Sequence, residues 1–279
     1  MLLVRHLART EPAARPRVVA CGRFDGVHRG HQRVLGRLAA LARTRRAEAV
    51  VALRYRPEPG ASLTNLRQRL ALLGEWGVDW AVLLGRAEPD DEAAIAQHLG
   101  AAVLVTGGTP GTFAGGAVDR VDPSRIREQP LTAQMIREWL AAADLAAVER
   151  ALGRPHAVEG PVVHGFHRGA SIGIPTANLR VEQLALPPDG VYAVRVCHRG
   201  VRRDGVANIG HNPTFGNAGR SVEAHVFDFS GDLYGERLEI AFVARLRGEQ
   251  KFAGVDALVA QIRLDMEAAR SVLAKRNGG

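Results

Sequence analysis

The chain has 279 residues, 46 % of them hydrophobic and 24 % charged, a balance that fits soluble globular structure and excludes disorder, collagen and coiled coil. Its length suits about two domains, each large enough for its own core. The net charge of +8 is spread along the chain, with 21 Lys+Arg against 16 Asp+Glu up to residue 150 and 16 against 13 beyond it. No basic run exceeds two residues, as at Arg45-Arg46, so the charge argues against a nucleic-acid partner and leaves anionic small molecules such as nucleotides.

Residues 17–152 read as alternating strands and helices. Arg17–Cys21 is a short apolar strand that runs into a glycine-containing turn. The segment His31–Thr44 is helical, with Val34, Leu35, Leu38, Leu41 and Ala42 on one face. Strand Ala47–Leu53, helix Asn65–Trp76, strand Trp80–Leu84, helix Asp90–Leu99 and strand Ala101–Thr106 follow. This alternation predicts a parallel, doubly wound sheet. Gly107–Gly116 is a glycine-rich loop, and Thr132–Leu152 reads as two short helices. From Gly160 the pattern changes: Val191–Cys197, Gly205–Ile209, Ser221–Phe229 and Leu238–Leu246 are strand-like runs parted by Gly, Pro and Asp turns. Such a series predicts a small closed or nearly closed barrel. Val255–Lys275 ends the chain as a helix, with Leu258, Ile262, Met266, Ala269 and Leu273 in one stripe. The boundary is expected near Arg154–Glu159, giving domains at 1–153 and 154–279.

No stretch approaches the ~18 apolar residues of a membrane span, so no membrane partner is expected. Met1-Leu2-Leu3-Val4-Arg5 lacks the apolar core of a signal peptide. Cys21 and Cys197 lie far apart and form no CxxC, which argues against a disulfide scaffold or a zinc site. A reducing, cytoplasmic setting fits these features.

After the first of these strands the sequence reads Cys-Gly-Arg-Phe-Asp-Gly-Val-His-Arg-Gly-His, with His28 and His31 bracketing Gly30 before a helix. A glycine turn between strand and helix exposes N–H groups and a positive helix end, which suits a phosphate. Two histidines there can donate to phosphate oxygens, and Gly30 removes a side chain where a nucleotide must come close. The plain alternative is a pair of surface histidines that only cap the helix. The run, including Gly22, Phe24 and Asp25, is similar to the opening of the adenylyltransferase domain in bacterial bifunctional riboflavin kinase/FAD synthetases, a branch of the HxGH nucleotidyltransferases. Leu63-Thr64-Asn65-Leu66 and Gly77-Val78-Asp79 continue the resemblance. It implies a Rossmann-like domain that binds ATP and FMN and makes FAD.

Three segments depart from that family. Its Thr-Phe-Glu-Pro-His-Pro run stands here as Leu53-Arg54-Tyr55-Arg56-Pro57-Glu58-Pro59, without the histidine. Its Gly-x-Asp-Phe-x-Phe-Gly has become Gly107-Gly108-Thr109-Pro110-Gly111-Thr112-Phe113. Its Ser-Ser-Thr-x-Ile-Arg reads Thr132-Ala133-Gln134-Met135-Ile136-Arg137, in which Arg137 and to a degree Thr132 keep the needed chemistry. Each lost hydroxyl costs about 1.5–3 kcal/mol of triphosphate binding. The departures therefore argue against adenylyl transfer.

The second half opens with His164-Gly165-Phe166-His167-Arg168-Gly169-Ala170-Ser171-Ile172-Gly173-Ile174-Pro175-Thr176-Ala177-Asn178. Gly165, Gly169 and Gly173 recur every four residues in a loop whose amides can wrap phosphates. Thr176 and Asn178 are two positions apart, so on an extended segment they share a face and can jointly offer oxygens to Mg²⁺. Glu223, alternating with apolar neighbours, is a candidate base for a phosphoryl transfer. The plain alternative makes the glycines barrel turns and Glu223 an ordinary exposed carboxylate. This half resembles a riboflavin kinase throughout 155–275. The Pro-Thr-Ala-Asn signature is followed by 186–192, 208–215, 222–225, 233–235 and 245–252 in the expected order. The resemblance implies ATP, riboflavin and Mg²⁺, with Thr176 and Asn178 on metal and phosphates, Glu223 at the ribityl 5′-hydroxyl, and Asn212, Thr214 and Arg247 on flaps over flavin and nucleotide.

The leading expectation is thus an α/β domain followed by an all-β barrel, phosphorylating riboflavin to FMN. The runner-up is a fully bifunctional enzyme that also converts FMN to FAD. A third reading makes the first half a non-catalytic nucleotide-binding or oligomerisation module. An RNA-binding barrel is opposed by the lack of an aromatic cluster for base stacking.

Overall fold

The computed structural model describes residues 1–11, 14–55, 61–108, 113–122, 125–126, 129–164, 173–181, 183–211 and 220–276, with the side chains of 125, 126 and 129 left aside. The chain forms two compact units, one of 1–135 with 151–153 and one of 136–150 with 154–279.

The first unit is built on six parallel strands: β1 (Leu2–Val4), β2 (Arg17–Gly22), β3 (Glu48–Arg54), β4 (Trp80–Leu84), β5 (Ala101–Thr106) and β6 (Ala117–Arg120). Their order across the sheet is β1-β4-β3-β2-β5-β6. Helices α1 (Arg29–Arg45), α2 (Leu66–Glu75) and α3 (Glu92–His98) connect them, and a two-residue pair, β7 (Arg125–Ile126) with β8 (Gln129–Pro130), lies apart. Both faces of the sheet are covered. Val18, Ala20, Val51, Leu53, Val103 and Val105 pack with Leu35, Leu38 and Leu73 on one side. Val19, Val50, Ala52, Val82 and Leu104 pack with Ile95, Ala96 and Leu99 on the other. This is the alternation of a strand buried on both faces, which the unbroken apolar runs require. The order reverses direction at β2 and β5, so a crevice opens beyond their carboxyl ends, where doubly wound sheets bind ligands.

The next helices are α4 (Ala133–Ala141) and α5 (Leu145–Leu152). Thr132 Oγ1 accepts the Met135 N–H at 3.2 Å, so that hydroxyl's lone pair caps a helix start while its proton stays available.

In the second unit β9 (His156–Val163), β10 (Ala177–Leu179), β11 (Gly190–His198), β12 (Val201–His211), β13 (Arg220–Val226) and β14 (Arg237–Arg247) close into a barrel ordered β10-β13-β12-β11-β14-β9. Tyr192, Ile209, Val222, Ile240 and Phe242 are buried in its interior. The terminal helix α6 (Val255–Lys275) packs Ala269 and Leu273 on the outside, against Val191, Ala193, Val206 and Val243.

The helices and longer strands fall where the periodicity predicts, and α6 agrees with it residue for residue. The sequence reading passes over β1, β6, the β7–β8 pair, β9 and β10. All but β9 have four residues or fewer, too short for a period-2 pattern to register.

Candidate functional site

The first motif lies at the carboxyl end of β2. Phe24 has φ 50° and Val27 φ 42°, unusual for residues with a side chain, with Gly26 at φ 74° between them. The turn is held in this shape by a buried brace. Asp25 accepts the N–H groups of Leu63 and Thr64 at 3.1 and 3.2 Å, and Arg69 Nη2 donates to it at 2.7 Å. Arg69 also donates to Arg23 O at 2.9 Å, and Gly26 N–H to Thr64 Oγ1 at 3.0 Å. Gln32 Nε2 donates to Val27 O at 2.9 Å. Asp25 therefore faces inward and shapes the turn from beneath. Thr64 belongs to the run 63–66 that carries the resemblance, whereas Arg69 stands outside every motif, since a buried arginine inside an apolar helix pattern looks like a surface one.

His28 sits at the N-cap of α1, where its Nδ1 accepts the N–H groups of Gly30 and His31 at 3.2 and 3.4 Å. The ring is 5 % exposed and stacks on His31 with centroids 3.7 Å apart. Burial lowers the His28 pKa to about 4, with Asp25 opposing. Burial also lowers His31 well below its ordinary value, helped by repulsion from His28 and Arg69. Both rings are neutral near pH 7, and the cap bonds leave the His28 proton on Nε2. His31 Nδ1 is buried without a hydrogen-bond partner among the described residues. Gly30 also has a nearer reason than nucleotide approach: a Cβ there would lie 3.0 Å from His28 Cε1. Likewise a Cβ on Gly22 would lie 3.1 Å from the Phe24 ring.

Of the three departing segments, 56–59 and 109–112 lie outside the described residues. Arg137 stands on α4, in a portion of that helix that belongs to the second unit. The Cys21 thiol beside the first motif is pushed up to about 12, first by burial and then by Glu92, so it is no nucleophile at neutral pH.

The second motif converges on one row of the barrel. Asn178 on β10 is the direct partner of Glu223 on β13, and Glu223 is in turn the partner of Asn208 on β12. The row continues through Val191 on β11 to Arg247 at the end of β14. Directly opposed residues point to the same side of a sheet, and Val191 packs under α6, so the row lies on the outer face. Asn178 is buried, Glu223 half-buried and Asn208 exposed. Asn178 Oδ1 is buried with no partner among the described residues. Thr176 precedes β10 and is half-buried, and His225 Nδ1 holds the carbonyl of Pro175 at 2.8 Å. Gly173 has φ 76°, with no atom of the described residues within 4 Å of where a Cβ would stand. Arg247 is engaged by Asp265 of α6, with Nη2 at 2.8 Å and Nε at 3.0 Å, and Gln261 donates to Asp265 at 2.9 Å. Gly165, Gly169, Asn212 and Thr214 lie outside the described residues. The row thus brings together a carboxylate, an orphaned amide oxygen and a clamped arginine, a set suited to activating a hydroxyl beside a cation–phosphate group. Asp265 carries no motif in the sequence because its partner Arg247 is distant in the chain, and His225 lies within the 222–225 run without its contact to Pro175 being visible there.

Residues 152–273 match a family described as riboflavin kinase, and residues 10–86 one described as FAD synthetase. A bifunctional riboflavin kinase/FMN adenylyltransferase of Pseudomonas fluorescens is 34 % identical over 98 % of each chain. The protein of the same description from Escherichia coli strain K12 is 35 % identical over 91 % of each chain. A crystal structure described as a macrolide-efflux protein from Streptococcus pneumoniae superimposes with a TM-score of 0.84 at 27 % identity, covering 96 % of this chain and 98 % of that one. No helix among the described residues is long and apolar enough to cross a membrane.

Proposed function

We propose residue roles from one premise: the chain belongs to the bifunctional riboflavin kinase/FMN adenylyltransferase family and phosphorylates riboflavin to FMN with ATP. The observation that carries the assignment is the row in which Glu223 is flanked by Asn178, whose Oδ1 is buried and unpartnered. Glu223 accepts the proton of the ribityl 5′-hydroxyl as that oxygen attacks the γ-phosphorus and the bond to ADP breaks. Thr176 and Asn178 fit Mg²⁺, a hard cation that takes neutral oxygens and shares them with phosphates. Bound there, Mg²⁺ supplies charge neutralisation at the phosphoryl oxygens. By the family resemblance, Gly165, Gly169 and Gly173 would give backbone amides to the phosphates, and Asn212 and Thr214 would serve the flavin side. Arg247, tied to Asp265, fixes the end of β14 from which the second flap departs.

We assign 1–153 to the FAD synthetase-type domain and 154–279 to the kinase. In the former, Gly22, Phe24, Asp25 and Gly30 shape the turn, while His28 and His31 offer neutral donors to a nucleotide phosphate. By the family's Ser-Ser-Thr-x-Ile-Arg pattern, Arg137 would hold nucleotide phosphates. With Ala133 and Gln134 where the family has hydroxyls, the domain binds nucleotide but transfers adenylyl groups weakly.

The test is the assay with riboflavin and Mg-ATP. Glu223→Gln should slow FMN formation by about 10²–10⁴-fold, the usual share of a general base, while ATP affinity stays unchanged. FMN formation at the unmutated rate by this variant removes Glu223 from the role.

A further inference from the structure

At the far end of α1 from the paired histidines, the first unit has an open cavity of about 670 Å³. The 17 residues of the helix put it about 25 Å from His28. Three arginines line it: Arg43 and Arg46 at the close of α1, and Arg15 on the segment leading into β2. None of the three guanidinium groups has a hydrogen-bond or ion-pair partner among the described residues. Elsewhere in this unit Arg17, Arg37 and Arg69 each meet a carboxylate. A carboxylate lines the cavity too, but Asp79 turns Oδ2 to the Ala49 N–H at 2.9 Å and forms no ion pair with the three. The negative end of α1 favours a cation at Arg43, yet its last carbonyls, Ala42 O and Arg43 O, are taken by backbone N–H groups. Arg15 belongs to another segment and owes nothing to that helix end. Three like charges thus surround one hollow without a counter-charge.

We propose that this cavity is an anion site for a di- or triphosphate group, distinct from the histidine pair at the other end of α1. Guanidinium forks match phosphate oxygens bidentately, and three around one hollow suit linked phosphates better than a single small anion. The volume is that of a small-molecule site and leaves room beside the phosphates. Small residues keep it open: a Cβ on Gly77 would stand 3.7 Å from the Ala39 Cβ, where a larger side chain would close the floor. The phosphates can belong to a nucleotide or to an inorganic polyphosphate, since the arginines read only what the two share. Nothing in this site depends on the kinase roles.

Tripolyphosphate is the probe, titrated into the full chain by calorimetry at low ionic strength, where screening is weak. Arg43→Gln combined with Arg46→Gln should weaken its binding at least tenfold, since each arginine gives charge-assisted hydrogen bonds. The His28→Ala variant should retain that binding. FMN formation by the double variant should equal that of the unmutated chain, which shows that it is folded. Hydrogen exchange locates the site without any substitution: tripolyphosphate should slow exchange across 39–47, and sulfate at equal ionic strength should not. ATP protecting 39–47 at lower concentration than tripolyphosphate identifies a nucleotide as the source of the phosphates; the reverse order identifies the inorganic anion. Binding indifferent to the arginines, no protection across 39–47, or equal protection by sulfate overturns the proposal. Absence of FMN from the unmutated chain would count against the kinase reading alone, and the exchange experiment would still decide this site.

Discussion

His28 Nδ1 accepts two backbone N–H groups at the start of α1, and those bonds fix where the ring's remaining proton sits. A cap and a donor are one residue here. The same burial that makes the cap dry makes the ring a liability in acid. Folded, His28 has a pKa of about 4 against an ordinary 6.5, so between those values the unfolded chain takes up a proton that the folded chain refuses. The contribution is nil above about pH 6.5 and destabilising below it, reaching about 2–3 kcal/mol by pH 4.5. His28→Asn keeps a good N-cap and removes the titration. In denaturant titrations of the first unit at pH 7 and pH 4.5, the variant should lose about 2–3 kcal/mol less than the unmutated chain. Parallel losses would show that the folded ring titrates normally. The HxGH spacing is legible in the sequence because a strand, a glycine turn and a helix surround it. The burial is not, because it depends on Asp25 and Arg69 drawing residues 63–64 over the turn.

At the scale of elements, the barrel's outer row depends on how β14 is joined to α6. Arg247 ends the strand, Asp265 lies one face of a helix away, and the side chains are only 16 % and 7 % exposed. Removing one partner leaves a buried charge uncompensated, which typically costs about 3–5 kcal/mol, whereas apolar replacement of both costs far less. Asp265→Asn should therefore lower the melting temperature of the second unit more than the double change Arg247→Met with Asp265→Leu. A double variant as unstable as the single one would show that packing, and not charge pairing, sets the effect. Element legibility follows length. α6 shows five apolar positions at helical spacing and is readable throughout. β10 has three residues after a proline, yet it carries Asn178; its signature residues were visible before its strand was. The pairing of Asn178 with Glu223 was not visible at all, since register joins residues 45 positions apart only after the barrel closes.

For the whole molecule, several arginines pair with carboxylates, while the net charge of +8 remains. Arg17 meets Glu48, Arg37 meets Asp119, Arg199 meets Glu236, and Arg270 meets Asp228. The two halves then differ in what they retain for nucleotide chemistry. The second keeps its signature from Pro175 to Asn178 with Glu223 in register beside it, while the first keeps its histidine pair and lacks the hydroxyls at 133 and 134. Thr132 spends a lone pair on α4 and still has a proton to donate. Restoring the family's residues with Ala133→Ser and Gln134→Thr should strengthen triphosphate binding by about 1.5 kcal/mol or more for each hydroxyl, roughly tenfold apiece. With FMN and Mg-ATP supplied, FAD and pyrophosphate measured by chromatography should form slowly in the unmutated chain. In the double variant they should form at least tenfold faster, with FMN formation from riboflavin unaltered. FAD appearing in the unmutated chain as fast as FMN does would mean that the departures at 133 and 134 are tolerated. The first domain would then be a working adenylyltransferase, its phosphate contacts supplied from elsewhere.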